Sequence, residues 1–222
     1  MIATLLSLAL LAYGHDDMTA QQYLSFSVTG SPTVRIGSTN GSINLKTGGS
    51  GVSVTATKKA DSQAKLEALK VTSTQSGGTI TVTAVFPSSC NDCGSIAFDV
   101  TVPAGTKVEL STTNGSITAS GLSADSQMST TNGSVRAGYT SAAGVRAISL
   151  QTTNGSVTLG LPTNAKIGRV KGSTVHGSIS SAWPLNVTRV DYAGANVDQT
   201  LQAGGATLNL STENGSISIS KN

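Results

Sequence analysis

Eleven carboxylates and two histidines carry most of the proton-transfer chemistry this chain could offer. Cleavage of a glycosidic bond needs two carboxylates roughly 5–10 Å apart, or a carboxylate cluster holding calcium, with a basic residue nearby. The chain carries a repeat whose corner glycine serves as a ruler. Glu109 stands six residues before its corner, Asp125 eight, Asp191 four and Glu213 two. No two of these share a column in adjacent repeats. Asp191 and Asp198 flank a single corner and form the best acidic pair, which reads as two solvated charges. His176 has no carboxylate or serine partner at matching register and reads as a turn residue. Neither a phosphate-cradling glycine loop nor a dinucleotide fingerprint nor a nucleophile elbow occurs. The expectation is a protein that is not an enzyme, with no catalytic residue, no cofactor and no metal site.

The two cysteines form Cys90-Asn-Asp-Cys93 in a turn between two apolar strands. A redox site of thioredoxin type would place the pair at a strand-to-helix junction, which is absent. A structural zinc site would want two more ligands, and only His15 and His176 exist. A local disulfide stiffening a hairpin tip fits an exported chain and would add about 1–2 kcal/mol, because so short a loop loses little entropy on closure. Two unpaired thiols are the alternative.

What must position these residues is the repeat itself. Asn-Gly-Ser-Ile/Val stands at Asn40-Gly41, Asn114-Gly115, Asn132-Gly133, Asn154-Gly155 and Asn214-Gly215, with His176-Gly177 as a variant. The glycines from Gly115 to Gly177 are 18, 22 and 22 residues apart, and Gly177 to Gly215 is 38. A turn signal recurring about every twenty residues marks stacked rungs. Apolar residues alternate on both sides of each corner, as in Ile148-x-Leu150-x-Thr152 followed by Val157-x-Leu159. Alternation is the strand signal, and its parity flips across Asn-Gly. Without that flip one strand of each rung would turn its apolar face to water. Asn and Gly tolerate the positive φ of a tight corner. Thr112-Thr113, Thr130-Thr131, Thr152-Thr153 and Ser173-Thr174 precede the corners and should line up as hydroxyl ladders.

Between His176 and Asn214 a degenerate rung is expected, with Val190-x-Tyr192, a corner at Gly194-Ala195, and Val197. The segment from Leu45 to Val108 departs from the rung pattern and reads as an antiparallel β-region capping the first end, with one helical stretch at 61–69. The far end looks less protected, since Ile217 to Asn222 run straight to the last residue. Trp183 reads as a buried anchor. The fold class is therefore all-β: a parallel, right-handed β-solenoid (108–222) behind an N-terminal β-region that includes a first rung (21–107).

Charged residues make up 11% and aromatics 4%, and the net charge is +3. The register of Val, Ile and Leu argues against disorder. No Lys/Arg cluster alternates with aromatics, so no nucleic acid is expected as partner. Ile2 to Ala12 form an apolar run too short to span a bilayer, and Ala12-Tyr13-Gly14 supplies small residues ahead of a cleavage point. A leader over 1–20 is expected, although it lacks a basic start; a buried first strand or helix is the alternative. His15 stands where a lipoprotein would need Cys. No other segment is apolar enough for a transmembrane helix. The Asn-Gly-Ser units also match the N-glycosylation acceptor pattern, as do Asn186-Val-Thr and Asn209-Leu-Ser, but a sequon explains neither the period nor the glycine. Asn-Gly is also a deamidation-prone pair.

The stretch Phe98-Asp-Val-Thr-Val-Pro-Ala-Gly-Thr-Lys-Val-Glu-Leu-Ser-Thr-Thr-Asn-Gly-Ser-Ile-Thr-Ala-Ser-Gly-Leu122, with the repeats after it, resembles the bacterial putative-adhesin family of unknown function. The resemblance covers about residues 30 to 220. It implies a β-solenoid at the cell envelope, in the periplasm or on the cell surface, and brings no catalytic residues. Many members carry Asp after Asn-Gly, where this chain has Ser, which argues against a calcium-dependent role. The expected function is an exported structural or attachment module with a glycan or protein as surface partner; a glycan-binding or polysaccharide-cleaving β-helix is the alternative.

Overall fold

Alternating apolar residues make strands of nearly the whole chain. The computed structural model describes residues 18–88, 93–190 and 193–222. The elements run β1 (Met18–Phe26), β2 (Thr33–Gly37), β3 (Ile43–Thr47), β4 (Val52–Ala60), α1 (Gln63–Ala68), β5 (Lys70–Ser76), β6 (Thr79–Val85) and β7 (Ser95–Val102). Then come β8 (Lys107–Ser111), β9 (Ile117–Leu122), β10 (Ser126–Asn132), β11 (Val135–Tyr139), β12 (Ala147–Asn154) and β13 (Val157–Leu161). The last are β14 (Ile167–His176), β15 (Ile179–Ser181), β16 (Thr188–Val190), β17 (Gly194–Thr200), β18 (Ala206–Asn214) and β19 (Ile217–Lys221).

Two sheets result, and each rung gives one strand to each. The ten-stranded sheet has the order β16-β17-β14-β18-β12-β10-β8-β2-β6-β5, and the nine-stranded sheet β1-β4-β7-β3-β9-β11-β13-β19-β15. The parity flip holds: Ile148 and Leu150 before the corner, and Val157 and Leu159 after it, are all fully buried. In-register parallel pairing then stacks like on like, Ile117 on Val135 on Val157 on Ile217. Each such side chain contributes roughly 1.5–3 kcal/mol by leaving water.

The spatial order of rungs is not the chain order. Reading along both sheets, the rungs are β6/β7, β2/β3, β8/β9, β10/β11, β12/β13, β18/β19 and β14/β15. At 4.7–4.9 Å per step, seven rungs make a stack on the order of 30 Å long. The expected degenerate rung between His176 and Asn214 does not exist. Gly194–Thr200 instead pairs antiparallel with β14 as an edge extension, and the segment Ala206–Lys221 inserts between the β12/β13 and β14/β15 rungs. Ile217 to Lys221 is therefore an interior strand and not an exposed end. Between Leu45 and Val108, β4 and β5 are antiparallel as expected, but β6 and β7 pair parallel with β2 and β3 and form a rung of their own.

Both ends of the core are closed by a segment crossing from one sheet to the other. At the first end, α1 lies between β4 and β5 and buries Leu66, followed by buried Leu69. Lys58 Nζ donates to the Leu69 carbonyl at 2.8 Å and pins that crossing. Burial, and secondarily Lys70, lowers the Lys58 ammonium below its usual range. At the other end, residues 182–187 cross from β15 to β16 with Trp183 and Leu185 packed against the core; Trp183 is partly buried there, short of the fully buried anchor expected. Lys221 Nζ lies 5.1 Å from the Trp183 ring centroid. Strand β1 begins at Met18, inside the segment 1–20 assigned to a leader; residues 1–17 lie outside those described. Among the described residues no helix is long and apolar enough to cross a membrane.

Candidate functional site

The corner motif builds a ladder. Asn114 Nδ2 donates to Asn40 Oδ1 at 2.7 Å, and Asn132 to Asn114, Asn154 to Asn132 and Asn214 to Asn154 each at 2.8 Å. Each interior amide thus donates to one neighbour and accepts from the other. Beneath it runs a glycine spine. A Cβ on Gly115 would lie 2.2 Å from the Gly41 carbonyl oxygen, and one on Gly215 only 2.0 Å from that of Gly155. The glycine is there for stacking as much as for its φ. Serines form a third row, with Ser134 N donating to Ser116 Oγ at 3.1 Å and Ser156 N to Ser134 Oγ at 3.2 Å.

The threonines before each corner do not form an exposed hydroxyl ladder. The first of each Thr-Thr pair turns inward, and in Ser173-Thr174 it is the threonine. Thr130, Thr152 and Thr212 are buried and donate to the carbonyls of Gly115, Gly133 and Gly155 at 2.8, 2.7 and 2.8 Å. Thr112 does the same to Gly41, and Thr174 to Gly215. These hydroxyls satisfy carbonyls that the tight corner would otherwise leave buried and unpaired. Corner polar groups are therefore structural.

The ladder accounts for the rungs at the two ends. All five Asn-Gly rungs are contiguous, from Asn40 to Asn214, while the rung lacking the motif (β6/β7) and the His176 variant occupy the two ends. The His176 side chain makes no hydrogen bond to Asn214, so the amide ladder stops at that rung. Asn214 Oδ1 there receives no donor from the described residues. His176→Asn should extend the ladder and raise stability by about 0.5–1 kcal/mol, read from urea denaturation midpoints. No gain would mean that the amide row is incidental.

The acidic residues do not converge. Glu109 pairs with Arg35 at 2.7 Å, and Asp125 Oδ1 accepts the Arg146 and Ala147 amides at 2.7 and 3.2 Å. Asp198 is held bidentately by Arg169, at 2.7 and 2.8 Å, which keeps its carboxyl below the usual range. Asp191 lies outside the described residues, and Glu213 sits exposed beside the Asn214 corner. Cys93 is buried and disulfide-bonded; Cys90, its expected partner, lies outside the described residues. No group of three or more His, Cys, Asp or Glu that could hold a metal occurs among the described residues. Inside the core, Tyr139 Oη and Ser126 Oγ share a 2.6 Å hydrogen bond, and burial pushes the phenol above its usual range while Ser126 opposes it.

A feature the sequence did not disclose lies on the outer face of the ten-stranded sheet. There β12, β18 and β14 form the floor, and β17 and β16 one side, of a trough of about 630 Å³. Gln151, Ser211, Ser173, Asn196 and Thr188 stand opposite one another across those five strands in one transverse row. Spacing could not have found it, because Ala206–Asn214 enters between two segments that precede it in the chain.

The sequence profile of the Toastrack DUF4097 family matches residues 18–220. The chain belongs to that family. No curated protein matches it. Among solved structures, this Toastrack chain is similar to a putative cell adhesion protein from Clostridium sporogenes, with a TM-score of 0.63 at 11% identity, covering 92% of this chain and 100% of that one. A putative adhesin from Bacteroides fragilis aligns with a TM-score of 0.36 at 13% identity, covering 92% and 97% of the two chains. One from Parabacteroides distasonis aligns at 0.29 and 8% identity, covering 92% and 98%. At such identities the first likeness speaks for the Toastrack fold alone.

Proposed function

We propose that this protein is an exported, non-enzymatic attachment module of the bacterial cell envelope. Its working part is a rigid stack that holds rows of small polar side chains at fixed spacing. The observation carrying this reading is the division of labour between its polar groups. Asn, Gly and inward Thr are consumed in locking the corners, while Ser, Thr, Gln and Asn on the outer sheet faces remain solvent-directed. Contacts that are individually weak gain strength when a rigid lattice presents many at once. The name of the Clostridium sporogenes structure, a putative cell adhesion protein, supports the attachment part by analogy of fold.

Cell fractionation tests export: the protein should appear in the periplasm or at the surface, and full-length protein retained in the cytosol overturns that claim. Attachment is read by binding of the purified protein to whole cells and to a glycan array. Polysaccharide hydrolysis by the protein, abolished in Asp198→Ala, would replace this reading with an enzymatic one.

A further inference from the structure

The trough on the ten-stranded sheet differs from the corner ladders in being unspent. At the corners, each interior carboxamide is paired with two others. In the transverse row, the side chains of Gln151, Ser211, Ser173, Asn196 and Thr188 make no hydrogen bond or ion pair among the described residues. They lie across five neighbouring strands, so the row is about 19 Å long at 4.7–4.9 Å per step. A second row beside it contains Asn209, Lys171 and Asp198, again in direct register.

The side wall is fixed. Gln199 Oε1 accepts the Asn186 backbone amide at 2.7 Å, and its Nε2 donates to the Pro184 carbonyl at 3.4 Å. That clamp holds the 184–186 segment against β17 and keeps the trough open without a ligand.

Charge selects among ligands. Both oxygens of Asp198 are held by Arg169, and Lys171 directly opposite adds a second favourable charge. Lys171 then stands in the second row as an ammonium with no hydrogen bond of its own among the described residues. Two cations facing one carboxylate leave a single excess positive charge, too few for a phosphate backbone, which needs a line of them. A bound peptide strand would seek an exposed sheet edge, and this is a sheet face. Hydroxyls and carboxamides both donate and accept, as the vicinal hydroxyls of a sugar do. The sugar repeat along an extended glycan is close to the strand spacing, so successive rings can meet successive strands.

We propose that this trough binds a strand of acidic oligosaccharide, its hydroxyls on the transverse row and a uronate carboxylate at Lys171. The proposal rests on the attachment reading and gives it a ligand class and a place. The hydroxyls and carboxamides of the row and the Lys171 ammonium act in binding, and no bond is broken.

Isothermal titration of the full chain with a uronic-acid oligosaccharide, and with the same oligosaccharide after reduction of its carboxyl groups, tests it. The acidic form should bind and the reduced form should bind at least about tenfold more weakly. Lys171→Gln should remove that preference, and Ser173→Ala with Asn196→Ala should weaken the acidic form about tenfold, with unchanged melting temperatures. Gln127→Ala, on the same sheet outside the trough, should leave binding intact. No binding by the unaltered chain, equal binding of the reduced form, or trough variants that bind like Gln127→Ala would each overturn the proposal. If trough variants still attach to cells as the unaltered chain does, the site is wrong and the attachment reading stands. Retention in the cytosol would instead remove the attachment reading itself.

Discussion

Gly133→Ala is expected to be severely damaging, because that glycine sits in the middle of the stack. A Cβ at that position would lie 2.2 Å from the Gly115 carbonyl oxygen and 2.5 Å from its carbon, and the backbone there has φ +154°. Neither partner can yield, because the Gly115 carbonyl also accepts the Thr130 hydroxyl and sits between two hydrogen-bonded rungs. The clash forces the rungs apart and breaks stacking on both sides. We expect a loss of about 3–5 kcal/mol, as strain at a special backbone position combines with broken packing. Gly144→Ala is the control. Its φ is +81°, but a Cβ there meets nothing within 4 Å. It should cost only the backbone term, about 1–2 kcal/mol. Urea unfolding of both variants decides the matter: equal losses would show that the corner glycines serve the turn alone and not the stack.

The corner asparagines should deamidate at least about a thousandfold more slowly in the folded protein than in the unfolded chain. Asn-Gly pairs fail chemically when the glycine nitrogen attacks the asparagine side-chain carbonyl. Here Gly133 N is committed to the Asn154 carbonyl at 2.9 Å. The Asn132 amide is held at 2.8 Å by Asn114 on one side and by Asn154 on the other. Attack requires the rung to open, so the rate should scale with the unfolded fraction, which for a stability of about 5 kcal/mol or more is under roughly one part in a thousand. Peptide mapping by mass spectrometry after parallel ageing in buffer and in urea measures the ratio. Comparable rates would mean that the corners open locally. The same pinning occupies the amide nitrogens of Asn114, Asn132, Asn154 and Asn214, which disfavours their use as glycosylation acceptors.

Much of the fold was legible because a solenoid writes its rule once per turn. The alternation around Ile148 and Val157 predicted which side chains are buried, and the parity change at Asn-Gly predicted that both strands of a rung face the same core. The helical stretch at 61–69 and the packed Trp183 also follow from composition. The threonines misled, since Thr130 and Thr131 look alike in sequence. Only the carbonyl of a neighbouring corner shows why the first turns inward.

The amino-acid sequence by itself determined what a rung is: its length, its corner, its buried face. It did so because alternation and corner chemistry are local. Only the tertiary structure decided which rung lies beside which, and with it the trough across β12, β18, β14, β17 and β16. Every Asn-Gly rung offers nearly the same aliphatic surface to its neighbours, so nearest-neighbour packing scarcely distinguishes one order from another. The amide ladder bears on where the His176 rung lies: it gains a bond at each contiguous asparagine and stops at His176.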